Sequence, residues 1–332
     1  MKRVIVVSFA LILLLTSCSM AGNQNEISIS ASLPDEQSDT YEKRYENGVT
    51  ERSFILQSGE YALSAVYTFS KNDRSPAVLL VPGSGPSDVN ETIGSLEPFR
   101  DMAIALAAKG VNSLRIEKRT HRYADRFTQQ SGLKEEYYDD YTCAYNWLKS
   151  QQKTLEVYLL GHSLGGQISV ELSKTCGVKG LILWNSSLRH LAEIAADQYI
   201  SADKANEAAY RQYESEAKSA TKDSAKGLYY YGASDYYWVS YNELDILKTL
   251  KNAEFSCLVI NSKADAQSFP KDIQLWQSTL GDQNNMSFRV FEDQSHFGYK
   301  IDVADPSAIY QHSELPNELI SAIVDFICNG TS

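Results

Sequence analysis

From about residue 52 onward the chain alternates short apolar runs with longer stretches whose apolar residues recur at helical spacing. Arg52–Gln57 and Tyr61–Tyr67 flank Ser58, Gly59 and Glu60, which predicts a hairpin. Pro76–Val81 is a continuous apolar run that breaks at Pro82 and Gly83. A helix over Phe99–Ala108 closed by Gly110, a strand over Val111–Ile116 and a helix over Glu135–Ser150 follow. In that last helix Tyr138, Tyr141, Tyr145, Trp147 and Leu148 fall near one face. The pattern then gives strands at Val178–Trp184, Phe255–Asn261 and Met286–Phe291, and helices at Pro270–Leu280 and Leu315–Cys328. Strand and helix in strict turn predict an α/β fold with a mostly parallel sheet covered on both faces.

The stretch LEVYLLGHSLGG, Leu155–Gly166, organises this alternation. Its apolar, β-branched run ends at Gly161, and ISVELSKTC after Gly166 and Gln167 begins a helix, so strand, sharp turn and helix succeed one another. A turn that tight brings side chains against backbone, and glycine two residues before and after Ser163 removes them. The Ser163 hydroxyl is then pushed out at the top of the sheet, with the backbone N–H of Leu164 beside it at a helix N-terminus. The G-x-S-x-G spacing by itself is common, and the strand before it and helix after it are what give it weight.

Between the strand that follows the elbow and the next one lie nearly sixty residues, 188–245. Their Ala-, Glu-, Lys- and Tyr-rich helical spacing reads as a helical cap inserted before Phe255–Asn261. Aromatic residues crowd its end, among them Tyr237 and Trp238, and two roles are open to them: lining a pocket, or seating the cap on the core.

At 43% hydrophobic and 22% charged residues the composition is that of an ordinary globular protein, and the net charge is −11. An acidic chain without a Lys/Arg cluster argues against nucleic acid and against highly anionic substrates. Cys143, Cys176, Cys257 and Cys328 stand in apolar contexts without C-x-x-C spacing or neighbouring histidines, which suits buried free thiols and no metal site. A disulfide stays open to them in an oxidising compartment.

That compartment is suggested by residues 1–17: two positive charges, then the apolar Val4–Leu15, too short for a membrane span and flanked like an export signal. Cys18 after Leu15, Thr16 and Ser17 resembles the lipobox of bacterial lipoproteins, which implies cleavage before Cys18, its acylation, and residence in the cell envelope. Residues 18–45 are polar and read as a flexible tether, leaving 46–187 and 246–332 as the two parts of a core around the cap. Membrane contact is then expected through Cys18 alone.

A serine hydroxyl needs a base, and the base needs an acceptor to hold it. Of His121, His162, His190, His296 and His312, His296 follows the last strand in FEDQSHFG, at the sheet edge where chemistry in such sheets is placed. Asp265 is the one carboxylate in the turn after CLVIN, while Asp272 falls where the next helix begins. The second oxyanion donor is expected from VPGSGPSDVN, where Gly83 and Gly85 leave backbone uncovered and the N–H of Ser84 pairs with that of Leu164. A phosphate loop is excluded there by the lack of a G-K-[ST] ending. Glu117 and Arg119, at a strand end, are expected to support the pocket through ion pairs.

The order Ser163, Asp265, His296 is that of the α/β-hydrolase fold. From about Arg52 the chain resembles that superfamily, and within it the EstD and dienelactone-hydrolase-like, or BAAT-like, group of bacterial esterases. The likeness is carried by LLVPGSGPSD, SLRIEKRT, GHSLGG and LVINSKADAQSFPKDIQLW. It implies a cofactor-free serine esterase acting on small to medium uncharged acyl substrates, with the same nucleophile, acid and base. A peptidase, amidase or acyltransferase on short acylated or peptidic substrates shares that triad, and a surface binding protein with a disused site is the non-enzymatic alternative. The chain departs from the group's pattern at Ser262, Ser268 and the run Lys118, Arg119, Thr120, His121, which bears on the substrate subsite.

If Cys18 is acylated, Cys18→Ser moves the protein from the membrane fraction to the soluble fraction and leaves the turnover of the folded domain unchanged. Fractionation of expressing cells checks this, and an unchanged membrane share would refute it.

Overall fold

The computed structural model describes residues 40–72, 74–302 and 314–330. The expected signal, Cys18 and most of the tether lie outside that range, as does His312. The elements in chain order are β1 (Tyr41–Arg44), β2 (Thr50–Ser58), β3 (Tyr61–Phe69), β4 (Ser75–Val81), α1 (Pro98–Ala108), β5 (Asn112–Ile116), the short α2 (Arg119–Arg122) and α3 (Asp139–Ser150). There follow β6 (Thr154–His162), α4 (Leu164–Leu172), β7 (Gly180–Trp184), α5 (Leu191–Ala202), α6 (Glu207–Lys218), the two-residue strands β8 (Tyr229–Tyr230) and β9 (Ala233–Ser234), and α7 (Asp235–Asn242). The chain closes with α8 (Ile246–Lys251), β10 (Ser256–Ser262), α9 (Pro270–Leu280), β11 (Met286–Phe291) and α10 (Asn317–Asn329).

Nine strands form one sheet in the order β1-β2-β3-β5-β4-β6-β7-β10-β11. The pairings from β5 through β11 are parallel, and those among β1, β2, β3 and β5 are antiparallel. The central strands read as unbroken apolar runs because both of their faces are covered. Leu79, Val81, Leu159, Leu181 and Val259 point into one core with α3, α4 and the helices between β7 and β10. Their neighbours Val78, Leu80, Leu160, Ile182 and Leu258 point into the other, against α1 and α10. This is the α/β architecture the alternation predicts.

Three expectations need correction. Tyr41–Arg44 belongs to the sheet as an exposed edge strand paired with β2, so the tether ends earlier than residue 45. The bond of Arg52 to Glu42 at 2.8 Å and of the Tyr45 hydroxyl to Glu51 at 2.6 Å hold that end of the chain. A strand exposed on both faces carries no apolar alternation, which is why the pattern misses it. The helix expected from Glu135 starts with a π-turn over Lys134–Tyr138 before α3 begins. Of the four cysteines in the described residues all are free, but Cys143 is half-buried and Cys328 is exposed, because the apolar stripe of α10 runs through Leu319, Ile323 and Phe326 and leaves 328 outside it.

Among the described glycines, those with the least room for a side chain are at the β6–α4 junction. A Cβ on Gly165 would lie 2.1 Å from the carbonyl oxygen of Val81, and one on Gly161 2.1 Å from that of Gly165. Backbone on both sides leaves nothing flexible to move aside. Gly165→Ala is therefore expected to destabilise the fold by about 3 kcal/mol or more, at the upper end of overpacking costs, as read from urea midpoints. A loss below about 1 kcal/mol would show that the junction yields.

Candidate active site

Strand β6 delivers Ser163 to the sheet edge, and α4 starts at the next residue. Ser163 has φ +54° and ψ −124°, a strained conformation for a residue with a side chain, of the kind that persists only when its surroundings enforce it. Its N–H is tied to Trp184 O on the neighbouring strand at 2.9 Å, and its carbonyl accepts the N–H of Gly166 at 3.0 Å. The first-turn N–H of Leu164 has no intrahelical partner by construction, so it stands free to serve an anion.

Asp265 and His296, chosen from the ends of β10 and β11, are brought together: His296 Nδ1 lies 2.7 Å from Asp265 Oδ2, and both side chains are buried. That contact leaves Nε2 as the ring nitrogen not engaged by Asp265. The carboxylate also accepts the N–H groups of Gln267 at 2.7 Å and Ser268 at 3.0 Å and the Ser268 hydroxyl at 2.5 Å. Burial alone raises the pKa of Asp265, but His296 and the Ser268 bonds outweigh it and hold the carboxyl below its ordinary value. Ser163 and His296 line one cavity with Gly83, Ser84 and Gly85, and no hydrogen bond joins Ser163 to His296 among the described residues. Such contacts are often loose until substrate arrives.

His162 lines the cavity too, but its ring is buried and both of its nitrogens are engaged within the protein. Its Nε2 faces the carbonyl oxygen of His296 at 2.9 Å, and so carries the hydrogen, while Nδ1 lies 2.9 Å from Glu91 Oε1. Burial works to lower its pKa, yet Glu91 and the His296 carbonyl raise it above the ordinary histidine value. Glu91 Oε1 accepts the N–H of Gly83 as well, at 2.8 Å. One carboxylate thus links the Gly83–Gly85 loop, the elbow and the His296 loop. Neither Glu91 nor this role for His162 stands out in the sequence, since the partners lie 71 residues apart.

The cavity has a volume of about 200 Å³. Its cap side is made by α5, through Leu191, Ile194, Ala195 and Gln198. Tyr237 and Trp238, one of whose possible roles was to line a pocket, do not line it. Trp238 is fully buried within the main hydrophobic core and donates to Tyr230 O at 3.1 Å, a bond within the cap. Tyr237 is half-buried, with its hydroxyl pushed up in pKa by burial and by the adjacent Glu136. Glu117 and Arg119 do not line the cavity either. Arg119 pairs with Asp140, and Glu117 pairs with His121 and Arg122, so both belong to ion pairs behind the wall. Lys118, between them, turns the other way, to the carbonyls of Gly83 and Gly85. Ser262 serves the loops, its hydroxyl donating to Gln294 O at 2.6 Å, whereas Ser268 both holds Asp265 and lines the cavity.

No protein-family model matches the chain. Esterase EstD of Thermotoga maritima is 30% identical over 224 residues, 67% of this chain and 54% of the relative, so the chain spans about half the length of that curated relative. Among solved structures, Est1E from Butyrivibrio proteoclasticus matches with a TM-score of 0.56 at 12% identity, covering 84% of this chain and 98% of that one. The Pyrococcus horikoshii acylaminoacyl peptidase matches with a TM-score of 0.55 at 16% identity, covering 84% of this chain and 41% of its own. At such identities the likeness to these structures is one of fold.

The lowered pKa of Asp265 ties stability to pH. Its ionised form contributes in full above the ordinary value of 3.8, and the contribution is lost as pH falls through the lower folded-state value. The stability difference between wild type and Asp265→Asn is therefore expected to be constant above about pH 5 and to shrink as pH drops below about 4. Urea unfolding across that range checks this, and a difference independent of pH would contradict it.

Proposed function

We propose that the chain, which has the α/β-hydrolase fold and is related to Esterase EstD, is a serine carboxylic ester hydrolase working through an acyl-enzyme. Ser163 is the nucleophile, His296 the general base and Asp265 the acid that orients it. The observation that carries this reading is the 2.7 Å contact of Asp265 with His296 in the wall of the cavity that also holds the strained Ser163.

The chemistry follows from the atoms. Asp265 accepts the Nδ1 hydrogen of His296 and leaves Nε2 with a lone pair, which removes the Ser163 proton as the oxygen attacks the ester carbonyl. The negative charge that develops on the former carbonyl oxygen is met by the N–H groups of Leu164 and Ser84. The protonated Nε2 then gives its proton to the departing alcohol. Water attacks the acyl-enzyme by the same route in reverse, releasing the acid and restoring Ser163. Asp265 stays ionised throughout, in keeping with its lowered pKa.

Size and lining support a small to medium uncharged acyl group. About 200 Å³ faced by Leu191, Ile194 and Ala195 favours a short apolar chain, and among the described residues no lysine or arginine lines the cavity to neutralise an anionic one. Residence in the cell envelope through an acylated Cys18 rests on the N-terminal sequence and is part of the same proposal.

A fluorophosphonate is expected to label the wild-type protein once, on the peptide containing Ser163, and to leave Ser163→Ala unlabelled. Ser163→Ala and His296→Ala are each expected to lose about 10⁴-fold or more in kcat on a short-chain ester, and Asp265→Asn somewhat less. Labelling elsewhere, or full turnover by Ser163→Ala, would end this reading.

A further inference from the structure

Lys118 lies two residues past the end of β5 and is completely buried, a position that lysine almost never occupies unless paired. Its Nζ lies 2.7 Å from Gly85 O, 3.2 Å from Gly83 O, 2.5 Å from Glu136 Oε1 and 2.8 Å from the Tyr137 hydroxyl oxygen. Tyr137 in turn donates its hydroxyl hydrogen to Gly83 O at 2.5 Å. Glu136 and Tyr137 come from the π-turn ahead of α3, an uncommon element that recurs at functional sites. Four acceptors surround the three N–H donors of the ammonium group, with Gly83 O the most distant of them. Burial pulls the Lys118 pKa down, and Glu136 opposes that pull.

The consequence lies on the far side of the Gly83–Ser84 peptide. No cis peptide bond occurs in the described residues, so this unit is planar and trans, and its C=O and N–H point in opposite directions. With the oxygen drawn toward Lys118 and Tyr137, the N–H of Ser84 is turned the other way. The peptide passes close to the elbow: a Cβ on Gly83 would stand 3.1 Å from Ser163 Cβ, and both residues line the cavity. The N–H of Gly83 is spent on Glu91, whereas no hydrogen bond among the described residues uses the N–H of Ser84. A cation on the carbonyl oxygen also polarises the amide and makes its N–H a stronger donor.

Resting on the serine-hydrolase reading, we propose that Lys118 and Tyr137 are positioning residues of the oxyanion hole, which hold and polarise the Gly83–Ser84 peptide so that its N–H meets the developing charge. Stability alone is a weak reason for the arrangement, because a buried ion pair contributes little net stability compared with apolar residues of similar volume. Lys118 does not line the cavity, so it acts through the peptide and not on substrate.

The test compares the full chain with Tyr137→Phe, Lys118→Met and the double variant Lys118→Met/Glu136→Gln, which avoids leaving Glu136 buried without its cation. Measured quantities are kcat and KM on a p-nitrophenyl ester, affinity for a trifluoromethyl ketone that adds to Ser163 and places an oxyanion in the hole, and Tm. Tyr137→Phe is expected to lose about 10-fold in kcat, about 1.4 kcal/mol of barrier, and the double variant about 100-fold, with KM within about twofold. Ketone affinity falls in the same proportion as kcat, independently of any change in Tm. Unchanged kcat and ketone affinity in Tyr137→Phe and the double variant would overturn the proposal, as would losses that merely track the folded fraction. Fluorophosphonate labelling separates the two readings: wild type labelled at Ser163 with indifferent variants sinks this inference alone, whereas unlabelled wild type takes the hydrolase reading down with it.

Discussion

Everything at the sheet edge depends on the approach of two glycines. Gly161 and Gly165 sit where a methyl group would overlap carbonyl groups of the backbone, and only their bare Cα atoms let β6 turn into α4 through a single residue. Ser163 absorbs the turn with its positive φ, and the ladder bond to Trp184 together with the packed helix behind it holds that strain. The neighbouring strand repeats the device on a smaller scale, with Asn185 at φ +48° just past β7. A rigid, outward-facing serine is the result, and the remaining groups have to be carried to it by loops.

Those loops are held by buried polar bonds as well as by the packing of Leu96, Phe297 and Tyr299. The carbonyl of His296 accepts from His162 Nε2 at 2.9 Å and from Asn185 Nδ2 at 2.7 Å, which ties the His296 loop to the elbow strand and to the strand beside it. Ser262 ties the end of β10 to the same loop. Glu91 and Lys118 grip the Gly83–Gly85 segment from two sides, one through an N–H and the other through carbonyls. Each such group would be expensive to leave unpaired in the interior, so the network has few alternative arrangements.

The cap is fastened to the elbow helix itself. Gln167 of α4 donates to Ser187 O and Arg189 O at 2.7 and 2.9 Å and accepts the Tyr241 hydroxyl at 2.5 Å, so the residue that begins the cap and one near its end meet on one side chain. Arg189 then forks onto Asp272, fully buried in the first turn of α9, and reaches Asp197 on α5. The helix that faces the cavity is thereby held to both halves of the core. The aromatic cluster around Trp238 completes the seat.

Patterns that need only neighbours along the chain were legible in the sequence. Period-2 burial on both faces of β4, β6, β7 and β10 writes itself as unbroken apolar runs, and the glycine spacing around Ser163 can be recognised within twelve residues even though the group nearest Gly165 is Val81 of β4. Asp265 and His296 could be picked because each follows a strand whose end falls on the same edge. Choices that join distant segments were not legible. Glu91 meets His162 across 71 residues, Lys118 meets Gly83 across 35, and whether Tyr237 and Trp238 face a cavity or a core depends on how the cap settles on α4. Nor could the exposed strand at Tyr41–Arg44 be seen, since among the described residues it pairs with one edge of β2 alone. Sequence periodicity records which face of an element is buried, whereas hydrogen-bond geometry between loops exists only once the sheet has brought their ends together.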